Sequence, residues 1–226
     1  TGEYCRIAKV LHDLKRARIG HIGHPIEAML DMHTDATMIT AHFGPHVVQC
    51  EDHEIASRYK AVTQEEIKAE RKQILDFFDT PDPVSDPISE KLNDSDLEVA
   101  ARASVALQKF VRAKNLDGLA YYYEGEANSV SSEVMANLTV GNSLLTGAGF
   151  PMCGESDLKT QRFLDNLIHP GGRSGDELRD YLVDNNLVVV GDKFNIVGGP
   201  TEEYGGFPFE YGGNTYPYGV LNPGVI

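Results

Sequence analysis

Three acids lie where chemistry is plausible. The stretch YYYEGEANS (121–129) follows the apolar LDGLA and carries Glu124 and Glu126 one glycine apart, and Glu155 arrives in a similar setting in FPMCGESD. Carboxylates gathered at one edge repel one another, and burying an ionised acid is expensive without a compensating cation. A divalent ion removes that conflict. Magnesium and manganese are hard ions that select carboxylate oxygen and keep coordination positions open for substrate oxygens. A single acid after a strand is more commonly a helix-start residue facing the macrodipole, and Glu155 fits that role too. Two strand-end acids in successive units turn the reading toward a metal pair, Glu124 and Glu155, with Glu126 as the solvent-facing member or as the one that exchanges roles with Glu124.

The elements that must position these acids alternate between strand and helix. Ile7, Val10, Leu11 and Leu14 share one helical face, so the chain opens in mid-helix pattern and is expected to be a piece of something longer. ARIGHIG reads as a strand that stops at His24-Pro25, because a residue before proline is pushed out of the α region. ATMITAHFG reads as a short helix closed by Gly44 and HVVQCE as the next strand. Thr63 and Glu66 form a capping box that announces a helix through TQEEIKAERKQILDFF. The proline-rich TPDPVSDP (80–87) leads to a long amphipathic helix over 96–114. Beyond it, LDGLAYYYE reads as a strand, SVSSEVMANLTVGNSLLTGAG as one helix, FPMCG as a short strand, ESDLKTQRFLDNLIH as a helix and NNLVVVG (185–191) as a further strand. Continuous apolar strands of this kind belong to parallel sheets covered on both faces. The expected fold is therefore α/β, an open, largely parallel, Rossmann-like sheet with helices on both faces. Residues 1–80 supply its N-terminal part, 81–191 the part carrying the acidic site, and 192–226 a Gly/Pro/Tyr-rich irregular tail. In such a sheet functional groups collect at the carboxyl ends of the strands, where Glu124 and Glu155 fall.

Composition narrows the partners. The formal net charge of −14, from 34 acids against 20 bases, repels phosphate backbones and anionic lipid, which argues against a nucleic-acid partner. No apolar run approaches a membrane span and the first residues lack a secretion-signal pattern, so the expectation is a cytoplasmic protein without a membrane partner. Cys5, Cys50 and Cys153 have no CxxC spacing and read as buried free thiols.

The blocks GLAYYYEGE, VGNSLLTGAGFPMCGESDLKT, GHPIEAMLDMHTD and HFGPHVV resemble the middle region of the L-fucose and L-arabinose isomerase family, over about residues 17–191. The sharpest block is Val140–Thr160. The resemblance implies a metal-dependent aldose–ketose isomerase acting on an open-chain sugar, with Mn2+ (or Mg2+) held by Glu124 and Glu155. One carboxylate would carry a proton between C2 and C1 through an ene-diol while the metal polarises the carbonyl. Where relatives place a histidine after the last strand this chain has Asp192, a substituted oxygen ligand or a lost one. Tyr122, Tyr123 and Lys159 stand near the acids as candidate substrate contacts, although packing and a solvated helix face explain them equally well. His24, in IGHIGHP, is a further candidate, lining a pocket shared with an adjacent subunit. Family members carry a nucleotide-fold-like domain before this region and a β-rich domain after it, so the chain is expected to be a fragment or shortened relative, and a homo-oligomer. A non-catalytic sugar-binding or assembly module that kept the fold is the alternative. An acidic hydrolase or phosphatase ranks last, since neither a nucleophile elbow nor a phosphate loop is visible.

Overall fold

The computed structural model describes residues 2–25, 27, 29–79, 93–159, 194–195, 207–211 and 214–218. In chain order the elements are α1 (Gly2–Leu14), β1 (Arg18–Ile22), α2 (Ala36–Phe43), β2 (His46–Cys50), α3 (Asp52–Lys60), α4 (Gln64–Phe77), β3 (Phe78–Asp79), α5 (Asp94–Lys114), β4 (Gly118–Tyr121), α6 (Val130–Ala136), α7 (Thr139–Gly147), β5 (Met152–Cys153), β6 (Phe194–Asn195), β7 (Phe207–Tyr211) and β8 (Asn214–Tyr218). Four of the strands form one parallel sheet in the order β2-β1-β4-β5. The fold is the open α/β sheet expected of the alternating pattern.

Strand periodicity decides which side chains meet which helices. Ile22, Cys50, Leu119 and Met152 point to one face and join Ile55, Ile67, Ile74, Leu107 and Phe110 in the main core. Ile19 and Ala120, displaced by an odd number of residues, point to the other face and pack with Leu158 and Val47. The connection from β1 to β2 runs toward one edge of the sheet, while those from β2 to β4 and from β4 to β5 run toward the other. Right-handed crossovers therefore place α2 on the face opposite α3–α7. Between β1 and β4 the strand order reverses, and that is where an open α/β sheet leaves a crevice.

Local signals behave as chemistry requires. Asp35 caps α2 by accepting from the amides of Thr37 and Met38, and Gly44 ends it with φ 96°. Thr63 accepts from the Glu66 amide while Glu66 accepts from the Thr63 amide, so the capping box opens α4. α5 is long because it is the central core helix: Ala101, Ala103, Ala106, Leu107 and Phe110 are fully buried, and α3, α4 and α7 all pack on it. Arg58 lies 5.5 Å over the Phe110 ring and Arg102 5.5 Å over the Tyr59 ring, covering the rim of this packing.

Several elements depart from the sequence reading. β4 stops at Tyr121, three residues short of Glu124, because its partner β1 stops at Ile22 and Gly23 (φ 79°) turns that chain away. The single helix expected over 129–149 is two. The Asn137 side chain donates to the Glu133 carbonyl at 2.7 Å, which competes with the backbone ladder and separates α6 from α7. α3 has no counterpart among the expected elements. Cys5 is exposed rather than buried, whereas Cys50 and Cys153 are buried free thiols. Within 192–226, β7 and β8 pair as an antiparallel hairpin, and β6 pairs with β3 in parallel. The strand expected at 185–191 lies outside the described residues. Among the described residues no helix is long and apolar enough to cross a membrane.

Candidate functional site

The candidate site is built at the carboxyl ends of β1, β4 and β5. Tyr122 continues the β4 ladder for one more bond, its amide donating to the Ile22 carbonyl at 3.1 Å, before the chain leaves the sheet. Gly23 sits directly across. A Cβ there would fall 1.8 Å from the Tyr122 carbonyl oxygen, so only glycine allows β1 and β4 to end this close together. Beyond Tyr122 the chain turns outward and exposes Glu124 and Glu126.

The tyrosines of YYY divide by strand parity. Tyr121 and Tyr123 pack against the main core, and Tyr123 closes its hydroxyl on Ser129 Oγ at 3.1 Å. Tyr122 points the other way. Its hydroxyl donates to Glu124 Oε2 at 3.3 Å, and its ring meets the His24 ring edge-on at 5.7 Å. Of the two tyrosines proposed from the sequence, Tyr122 thus stands with Glu124, while Tyr123 braces the core and the loop. His24 is exposed, and its Nδ1 lies 2.9 Å from the Pro25 carbonyl. A carbonyl only accepts, so Nδ1 donates to it and Nε2 is the ring nitrogen left for another contact.

Glu155 lies in a turn, before the next helix begins. The Asp157 amide donates to the Gly154 carbonyl at 3.2 Å, and both central residues have positive φ, 57° at Glu155 and 55° at Ser156. Turns of this type ordinarily take Asn and Gly, and each L side chain forced into the left-handed region costs roughly 1–2 kcal/mol. The helix-start role falls instead to Asp157, whose Oδ1 accepts from the Lys159 amide at 2.9 Å. The Lys159 amine donates to the Asp31 carbonyl, tying the segment after β5 to the loop after β1. Lys159 is therefore engaged with backbone. Ser156, which the sequence reading passed over, is 1% exposed and bonds to the ends of β1 and β4. No spacing rule points to it, because its partners are the carbonyls of Ile22 and Tyr121, distant in sequence.

Glu124 and Glu155 differ in their partners. Glu124 keeps Tyr122 as its hydrogen-bond donor, and Glu155, half-buried, has no hydrogen-bond or ion-pair partner among the described residues. Carboxylate oxygen is a hard donor, of the kind magnesium and manganese take with a partly aqueous shell. By donor chemistry alone Glu124 and Glu155 suit such an ion. Asp192, the third position, lies outside the described residues.

No protein-family model matches the chain, and no curated protein matches it.

Two further polar clusters lie on and just past β1 and β2. Glu51, Asp52 and His53, just past β2, have ligand atoms within 4.8 Å of one another. Glu51 and Asp52 open α3, where acids are stabilised by the helix dipole without any ion. On the second face of the sheet, His21 Nδ1 meets Gln49 Oε1 at 3.2 Å and its Nε2 is buried without a partner. Burial pushes the His21 pKa below its ordinary value, with nearby His24 acting in the same direction against the bond to Gln49. That ring is neutral at physiological pH.

Proposed function

We propose that this chain carries the acidic half of the active site of a metal-dependent aldose–ketose isomerase, of the L-arabinose and L-fucose isomerase kind. The observation that supports it best is the placing of Glu124 and Glu155, without a described cation partner, at the carboxyl ends of the paired parallel strands β4 and β5. The motif blocks of the sequence point the same way.

Glu124 and Glu155 would hold manganese or magnesium through carboxylate oxygens. A divalent ion in that place supplies Lewis-acid polarisation of the sugar carbonyl. The proton work belongs to the chain. The carboxylate nearer the sugar takes the proton from C2 and the electron pair forms the C1=C2 bond of an ene-diol; that proton is returned at C1 while the O2 hydroxyl proton passes to O1, leaving the carbonyl at C2, so no external acid is consumed. Tyr122 holds the Glu124 carboxylate in one rotamer through its hydroxyl, and His24 Nε2 is the contact for a sugar hydroxyl at the β1 end.

The test is thermal unfolding with and without Mn2+, followed by ketose formation from an aldose panel including L-arabinose and L-fucose. An ion bound only by the folded chain stabilises it by about 2.7 kcal/mol at one hundred times its dissociation constant. The expected result is a rise in Tm with Mn2+ that Glu124→Gln and Glu155→Gln both remove. Turnover that requires both glutamates supports the isomerase, binding without turnover supports a non-catalytic sugar-binding module, and no Tm response in the parent refutes the metal site.

A further inference from the structure

We infer that Ser156 is the positioning residue of the acidic site, holding the turn that carries Glu155 against the ends of β1 and β4. This rests on the reading of Glu124 and Glu155 as metal ligands.

Among the described residues four non-glycine positions have positive φ: Asn115, Asn128, Glu155 and Ser156. Asparagine takes that conformation readily, and Asn115 does so as the cap of α5. Glutamate and serine do not. Their backbone is therefore held by interactions from outside the turn, and the described bonds converge on Ser156. Its amide donates to the Tyr121 carbonyl at 3.1 Å and its hydroxyl to the Ile22 carbonyl at 3.2 Å. The Ile22 carbonyl also accepts from the Tyr122 amide, so one oxygen at the end of β1 joins that strand to β4 and to the turn after β5.

The consequence for the acids is direct. Glu124 follows Tyr121 by three residues and Glu155 precedes Ser156 by one, so the bonds of Ser156 connect the backbones that bear the two carboxylates. Without the hydroxyl the turn loses its tie to β1 and is free to shift against the strand ends, which moves Glu155 relative to Glu124. Metal affinity depends on that relation, because supporting residues outside the ligand set typically contribute 10- to 100-fold.

The experiment uses the full chain with Ser156→Gly and Ser156→Ala, titrated calorimetrically with MnCl2 and unfolded separately in urea with EDTA. Glycine adopts positive φ freely, so Ser156→Gly removes the hydroxyl while sparing the turn its strain. The expected result is metal affinity about 10- to 100-fold weaker in Ser156→Gly, with a urea midpoint closer to the parent than that of Ser156→Ala. Affinity in Ser156→Gly within about threefold of the parent, outside that 10- to 100-fold range, overturns the inference and leaves the metal site standing. A parent that binds no Mn2+ overturns the site and the inference together. If Ser156→Ala does not fold, Ser156→Gly decides alone, and a glycine variant that also fails to fold makes Ser156 a residue of the fold rather than of the site.

Discussion

Replacing Gly23 by alanine strikes the point where β1 and β4 end side by side. The new Cβ would lie 1.8 Å from the Tyr122 carbonyl oxygen, whereas ordinary contact begins at 3.4 Å, so one backbone must move by about 1.5 Å. Alanine at φ 79° costs roughly 1–2 kcal/mol on its own, and forcing packed backbones apart adds about 1–3 kcal/mol. The sum, about 2–5 kcal/mol, is a large share of the 5–15 kcal/mol that a domain typically has. For a chain of 226 residues it corresponds to a fall in Tm of about 4–20 °C. The displaced residue is Tyr122, whose hydroxyl bonds to Glu124, so Mn2+ binding should weaken beyond what lost stability explains. The assay is urea unfolding without metal alongside a Mn2+ titration at a temperature where the variant is folded. A Gly23→Ala chain as stable as the parent, with the same Mn2+ response, would refute the close approach of the two strand ends.

Two other outcomes test the surroundings of the site. His21 has its pKa lowered by burial, so as pH falls below the ordinary value of 6.5 the unfolded chain takes the proton first; stability present above that pH is lost below it, and His21→Gln should flatten Tm between pH 7 and pH 5. Asp35, Glu54 and Glu66 have pKa values lowered by bonds from Thr37, Lys114 and Lys109, so their losses come only below their ordinary 3.8 and 4.5, and a slope unchanged in His21→Gln would refute the role given to that ring. Ser104→Ala removes the 2.6 Å bond to buried Glu70 and leaves that carboxylate with Gln108 at 2.9 Å, which should destabilise by about 1.5–3 kcal/mol in urea unfolding. A loss under about 0.5 kcal/mol would show that water replaces the hydroxyl.

What the sequence by itself determined was local. Thr63 and Glu66 meet across one helical turn, Gly44 ends α2, and apolar runs such as GLAY are legible as parallel strands because both faces are covered. The two acids were legible for the same reason, each lying within a few residues of a strand end. Tertiary structure decided what lies across the sheet. Strand parity sends Tyr123 to the core and Tyr122 to Glu124, a one-residue distinction that depends on where the β1 ladder stops. Lys159, basic and close in sequence to Glu155, is drawn to the Asp31 carbonyl instead, in the loop after β1. The positive φ of Glu155 and Ser156 contradicts their intrinsic preference and exists because Ile22 and Tyr121, more than thirty residues away along the chain, offer carbonyls there. Helix caps and strand propensities act through neighbours on the chain, whereas hydrogen bonds between strand ends act through neighbours in space, which exist only once the sheet has formed.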